Sequence, residues 1–254
     1  MARAKERREP GPGPYILGLR WAEEPGNGFP FDVPAVAAVE GLRLDRPVTL
    51  LAGDNGSGKS TLVEAIAQAI GFAAEGGELE RLGELPAVPP AVMDETLAPI
   101  LGRTKPRNGY FLRAESFFNV AAFVDGGGRF APDGSLYGGV PLHEQSHGQS
   151  FLALAANRFG RDGIYVLDEP EAALSVTGAI ALLAIVARAA RAGSQFVIAT
   201  HSPVILACPG ARVYELGDHG LVETAYDDLE AVQLTRAFLQ APERFLRAAL
   251  ADDE

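Results

Sequence analysis

The sequence predicts an α/β fold built on parallel strands, and three apolar segments carry that expectation. Val48-Thr49-Leu50-Leu51-Ala52, Ile164-Tyr165-Val166-Leu167 and Gln195-Phe196-Val197-Ile198-Ala199-Thr200 have strand length and strand composition. Helical segments follow the first two. One runs from Ser60 to Ile70 with Gly71 placed to stop it, the other from about Thr177 to Arg191 with Gly193 behind it. Strands alternating with helices at this spacing argue for a mostly parallel sheet. Each strand also ends in polar chemistry, and in open α/β sheets ligands bind at the C-terminal strand ends.

The first strand runs straight into Gly53-Asp54-Asn55-Gly56-Ser57-Gly58-Lys59-Ser60-Thr61, a complete G-x-x-x-x-G-K-S pattern. Any glycine-rich turn before a helix can look similar. Here Lys-Ser is in register and both flanks are correct, which turns a string match into a mechanism. The glycines allow unusual backbone angles, so successive N–H groups can point inward at phosphate, and the helix N-terminus adds partial positive charge. Lys59 reaches the β/γ oxygens in this arrangement, and the Ser60 hydroxyl is a ligand for Mg²⁺. Binding of a nucleoside triphosphate is the expectation.

The second strand ends in Asp168-Glu169-Pro170. Phosphoanhydride hydrolysis needs one acid to hold the Mg²⁺ shell and another to orient and deprotonate water. Asp168 suits the first task and Glu169 the second. An Asp-Glu pair after a strand also serves as an ordinary helix N-cap before a proline. The third strand delivers His201-Ser202-Pro203, which sets an imidazole where a γ-phosphate would sit, or simply caps a turn before Pro203.

Composition narrows the class. The 254 residues fit one large α/β domain or a core with a smaller lobe, and 47% hydrophobic content supplies a full core. The most apolar segment, Gly178 to Ala190, is short and Ala-rich, and reads as a buried helix rather than a membrane span. The charged start runs into Pro10-Gly11-Pro12-Gly13-Pro14 without a signal-peptide core, so residues 1–14 read as a disordered tail and the chain as cytoplasmic. The single cysteine, Cys208, excludes an internal disulfide. Net charge is −11 with a pI near 4.9, which disfavours a dedicated nucleic-acid binder. Arg103, Lys105 and Arg107 form a small basic patch that a solvated loop around Pro106 also explains.

Taken together, the phosphate loop, the Asp-Glu-Pro strand end, the Ala173-Leu174-Ser175 turn and the strand ending in His201 resemble the ATP-binding-cassette (ABC) ATPase superfamily. Within it the chain looks like the small stand-alone bacterial "AAA family" ATPases related to the heads of SMC and recombination-repair proteins. The resemblance covers roughly residues 45 to 215. It implies a P-loop NTPase of ABC-ATPase type, with a mostly parallel core sheet, helices on both faces, an N-terminal antiparallel β layer and a small variable helical lobe. The cofactors it implies are ATP and Mg²⁺.

The family's Leu-Ser-Gly-Gly-Gln signature has a counterpart in Gln145-Ser146-His147-Gly148-Gln149-Ser150, with His147 replacing the first Gly and Gln145 the Leu. The resemblance places Ser146, His147 and Gly148 against the γ-phosphate held by an opposite subunit. It implies an ATP-dependent homodimer with nucleotides sandwiched head to tail. Where the family carries a Mg²⁺-sensing Gln, the strand from Gly109 leads to Glu115, which takes that position here; Ser116 beside it also suits an N-cap. The segment Tyr15 to Val39 corresponds to the antiparallel layer over the base. Arg20, Phe29 and Phe31 are candidates to stack on adenine, though aromatic residues in such strands are more often core.

The expected organisation is a tail (1–14) and one ATPase domain (15–254). That domain holds a Pro- and Gly-interrupted variable lobe over about 77–145 and a C-terminal helical arm over about 228–251. About 85 residues separate Ser60 from the signature without sustained heptads, so no coiled-coil arm is expected. Three activities stay open at this point: hydrolysis by a sandwich dimer, an ATP-gated clamp for an unidentified partner, and the nucleotide-binding subunit of a transporter.

Overall fold

The structure, a computed structural model, describes residues 9–79, 96–113 and 147–251. Its centre is a seven-stranded sheet. In chain order the strands are β2 (Val48–Ala52), β3 (Gly77–Glu78), β5 (Asn108–Arg113), β6 (Gly163–Asp168), β7 (Gln195–Ala199), β8 (Arg212–Gly217) and β9 (Gly220–Glu223). They lie side by side as β3-β5-β6-β7-β2-β8-β9. The five inner strands are parallel, and the edges β3 and β9 are antiparallel. The mostly parallel α/β architecture expected from the sequence is therefore present. A second, two-stranded antiparallel sheet joins β1 (Ile16–Trp21) to β4 (Leu97–Leu101).

Both faces of the inner strands are covered, which explains their unbroken apolar runs. Successive residues point to opposite faces. Leu50, Leu167 and Ile198 pack with Phe151, Leu154, Leu182 and Val186 on one side, from α3 (His147–Arg158) and α4 (Val176–Arg191). Leu51, Val166 and Val197 pack with Leu62, Val63 and Ile66 of α2 (Lys59–Ile70) on the other. The short helix α1 (Pro34–Ala37) and β1 add Val36 and Leu19 to that second core. Truncating one of these side chains, Leu167→Ala for example, costs about 2–5 kcal/mol.

Local signals set the helix ends. Gly71 takes φ 107° as the left-handed cap that closes α2. The Ser175 hydroxyl accepts from the Gly178 N–H at 3.2 Å and opens α4. The two sheets are tied together by the fully buried Gln195 side chain. It accepts from the N–H groups of Tyr15 (2.7 Å) and Ile16 (3.1 Å) and donates to the carbonyls of Ile16 (2.8 Å) and Leu44 (2.5 Å).

Several expectations change. Residues 9–14 do not form a free tail. Gly11 donates to the Lys105 carbonyl and Gly13 to the Gly193 carbonyl, while Lys105 donates back to Glu9. The segment expected as a variable lobe over 77–145 supplies β3, β4 and the core strand β5, so residues 97–113 belong to the main architecture. The antiparallel layer is built differently too, because the partner of β1 is β4 and not a strand from residues 22–39. Most of the remaining lobe, residues 80–95 and 114–146, lies outside the described residues. Arg107 pairs with the buried Asp162 at 3.2 Å, so the Arg103–Lys105–Arg107 patch is partly neutralised.

After the short helix α5 (Pro203–Leu206), the chain ends in α6 (Glu230–Gln240) and α7 (Pro242–Ala251). Both expected arm helices form. Val232 is buried, but Leu234, Phe238, Leu239, Leu246 and Leu250 are exposed, so much of the arm's apolar face does not pack on its own domain. Among the described residues, no helix is long and apolar enough to cross a membrane.

Candidate active site

The C-terminal ends of β2, β6 and β7 lie side by side, and the loops that leave them carry the candidate site. Residues 53–58 curl between β2 and α2, with Gly53, Gly56 and Gly58 at φ 153°, 85° and 89°. A Cβ on Gly53 would come within 2.7 Å of Ser57 Oγ, and one on Gly58 within 2.5 Å of Val33 Cγ1. Backbone angle and close approach therefore both require glycine at Gly58. Gly58 caps α2 without any side-chain hydrogen bond, and the first turn of α2 has no acid. Its leading N–H groups stay available to an anion. Ser57 Oγ is buried with no hydrogen-bond partner among the described residues. With the N–H groups open and the backbone held close by glycine, the loop fits a nucleotide phosphate chain.

Lys59 is 3% exposed, and its ammonium donates to the carbonyls of Gly53 and Asp54, both at 2.8 Å. Its Nζ also lies 3.6 Å from Glu169 Oε1. The ammonium thus sits inside the curl of the loop, where phosphate charge would be received. Beside it, the Ser60 hydroxyl donates to Asp168 Oδ1 at 3.1 Å. One hydroxyl and one carboxylate oxygen in contact match Mg²⁺, which binds through few protein ligands and fills its shell with water and substrate phosphate. Among the described residues no cluster of three or more His, Cys, Asp or Glu could hold a metal by itself.

Glu169 follows β6 in the left-handed region, at φ 48° and ψ 52°, a conformation costing a non-glycine residue roughly 1–3 kcal/mol. Its N–H donates to the Ala199 carbonyl at 3.0 Å, which pins the strained residue to the end of β7. Its carboxylate then lies between two partners, Lys59 Nζ and His201 Nδ1, the latter at 3.7 Å. Lys59, Ser60, Asp168, Glu169 and His201 are therefore brought together.

Glu115 and Ser146 lie outside the described residues. His147 and Gly148 open the described part of α3, where a Cβ on Gly148 would meet the Ala173 carbonyl at 3.0 Å. Among the adenine candidates, Arg20 is exposed, Phe31 packs edge-on against Trp21 at 6.1 Å, and Phe29 is 76% exposed.

Two site residues escaped the sequence reading. Arg113 ends β5 in register with Asp168, and its Nε lies 3.9 Å from Asp168 Oδ2. It also donates to Glu64 of α2 at 3.1 Å and to the Ala74 carbonyl at 3.0 Å. The guanidinium thus links Asp168 to α2. Glu171 accepts from the turn that carries His201, through Thr200 Oγ1 at 2.6 Å and the N–H groups of His201 and Ser202 at 2.8 and 3.1 Å. An arginine closing a strand was the available signal for the first, and the third acid of Asp168-Glu169-Pro170-Glu171 for the other.

Comparison with known proteins agrees with this geometry. Residues 132–207 match the family model described as "AAA domain, putative AbiEii toxin, Type IV TA system", and residues 36–85 match a second, described as "AAA domain". Among solved structures, the SMC head domain from Thermotoga maritima aligns with a TM-score of 0.42 at 16% identity, covering 72% of this chain and 92% of that one. The cbiO1 protein from Clostridium perfringens, part of the ABC transporter complex cbiONQ, aligns with a TM-score of 0.47 at 15% identity, covering 90% and 97%. No curated protein matches the sequence. Likeness at this level identifies neither substrate nor partner.

Proposed function

We propose that this P-loop ATPase domain hydrolyses ATP to ADP and phosphate with Mg²⁺, as a nucleotide-sandwich homodimer. The observation that supports it most is the convergence of Lys59, the Ser60–Asp168 pair, Glu169 and His201 at three adjacent strand ends. The N–H groups of the loop and the Lys59 ammonium bind the phosphate chain of ATP. Ser60 and Asp168 would hold Mg²⁺, which would supply neutralisation of charge on the phosphate oxygens. Glu169 takes the proton of the attacking water, and His201 holds the γ-phosphate from the other side. Ser146, His147 and Gly148 of a second copy close the site.

One feature of the geometry favours a slower, clamp-like variant of the same cycle. Glu169 already faces Lys59 at 3.6 Å, so the general base must give up that contact before it can act on water. ATP binding, which draws Lys59 toward phosphate, and activation of Glu169 are thereby coupled. A nucleotide-binding subunit of a transporter receives no comparable support.

Dimerisation separates these readings. In a sandwich dimer, turnover per chain rises with protein concentration, and Ser146→Arg abolishes that rise while ATP binding persists. Turnover per chain that is independent of concentration, with Ser146→Arg harmless, would refute the shared site.

A further inference from the structure

His201 stands on a turn with no helix or strand of its own to hold it, immediately after β7 ends at Ala199. What holds it is a single oxygen. Glu171 lies in the 3-10 turn Pro170–Ala173, with its side chain only 9% exposed. Its Oε1 accepts three hydrogen bonds from three consecutive residues: the Thr200 hydroxyl and the main-chain N–H groups of His201 and Ser202. The Ser202 N–H is shared with Thr200 Oγ1 at 3.0 Å, so the turn is cross-braced. The same Glu171 Oε1 lies 3.5 Å from the ring nitrogen Nδ1 of His201.

Simple packing does not account for this carboxylate. Its other oxygen, Oε2, is buried and has no hydrogen-bond partner among the described residues. An acid buried with one oxygen unanswered is costly, and an apolar residue at that place would avoid the cost. The charge does have a target. Among the described residues, the charged groups around the imidazole are Glu171 and Glu169, at 3.5 and 3.7 Å from Nδ1, with Lys59 behind Glu169. Both carboxylates face the same ring nitrogen, which assigns the Nδ1 edge to the protein and leaves Nε2 as the nitrogen for the ligand.

We propose that Glu171 is the positioning residue of His201, anchoring its turn through Oε1 and holding the Nδ1–H edge of the ring so that Nε2 is presented to the terminal phosphate. Glu171 touches no reacting atom in this scheme. It acts through His201, and its effect on turnover rests on the hydrolytic reading above. Its effect on the ring does not.

The test uses the full chain with ¹⁵N-labelled histidine and assigns His201, one of four histidines, by its loss in His201→Gln. Wild type is expected to show a protonated Nδ1. In Glu171→Ala the ring is expected to move toward the ordinary Nε2–H tautomer. Turnover in Glu171→Ala should fall about 10–100-fold with KM for ATP little changed, as for a misplaced catalytic group. The double variant Glu171→Ala/His201→Gln should be no slower than His201→Gln alone. Glu171→Gln keeps the Oε1 acceptor but loses the charge, so the turn should stay ordered and turnover should partly recover. Should Glu171→Ala fail to fold, the tautomer of His201 in Glu171→Gln carries the same test. An Nδ1 signal unmoved in both variants, or losses that multiply in the double variant, would overturn the proposal. If the wild type does not hydrolyse ATP, the hydrolytic reading fails, and the ring spectrum still decides what Glu171 does.

Discussion

Lys59 and Arg212 are both buried cations, set at opposite ends of the parallel strands, and they are answered in different ways. Arg212 opens β8 and is enclosed by charge. Its Nε donates to Glu223 Oε1 at 3.1 Å, and its Nη1 pairs with Asp45 and donates to the Arg43 carbonyl. Arg43 in turn bonds Glu223 at 3.0 Å. The hydrogen bond from Arg212 holds the Asp45 carboxyl below its ordinary value. Lys59, just beyond the end of β2, has two neutral carbonyls of its own loop and one carboxylate at a looser 3.6 Å. Arg212 is answered by two carboxylates of its own chain, Asp45 and Glu223. The partners of Lys59 are exchangeable, and an arriving phosphate can replace them. Burial of a charge becomes functional when its compensation is incomplete.

Substitution can break that contrast. Lys59→Ala is expected to give the largest effect, weakening ATP binding about 100-fold by removing a charge-assisted contact. Its urea midpoint should stay near that of wild type, because the lost partners are loop carbonyls that water can reach. Fluorescent nucleotide titration and urea denaturation check the two halves. Arg212→Ala should do the reverse, leaving nucleotide affinity intact and costing about 2 kcal/mol of stability, because its carboxylate partners are half-exposed. If Arg212→Ala weakened ATP binding as much as Lys59→Ala, the division between structural and functional cation would be lost.

The sequence made the phosphate side of this contrast legible and hid the rest, for physical reasons. Glycines at fixed spacing before Lys59-Ser60 define the loop locally, and the buried strands β2, β6 and β7 announce themselves as apolar runs. Asp168 and Glu169 are legible because they end such a run. Arg113 was not, since its link to Asp168 exists only through the register of β5 on β6, between residues 55 positions apart. Glu171 shows its role only through hydrogen bonds to residues 29 to 31 positions away. The antiparallel layer was expected within Tyr15–Val39, where β1 lies, but its second strand was not legible for the same reason, because β1 takes as its partner a strand about 80 residues later. Amphipathic periodicity foretold α6 and α7, but periodicity does not say whether an apolar face finds a partner within its own chain.

In the proposed cycle, Glu169 performs the chemistry that releases an ATP-closed dimer. The most direct test is size-exclusion chromatography of wild type and Glu169→Gln with ATP and Mg²⁺, alongside steady-state hydrolysis over a range of protein concentrations. The expected result is cooperative turnover in wild type, and in Glu169→Gln a stable ATP-bound dimer with kcat lowered about 10²–10⁴-fold. A Glu169→Gln protein that stays monomeric with ATP bound and turns over as fast as wild type would contradict the account.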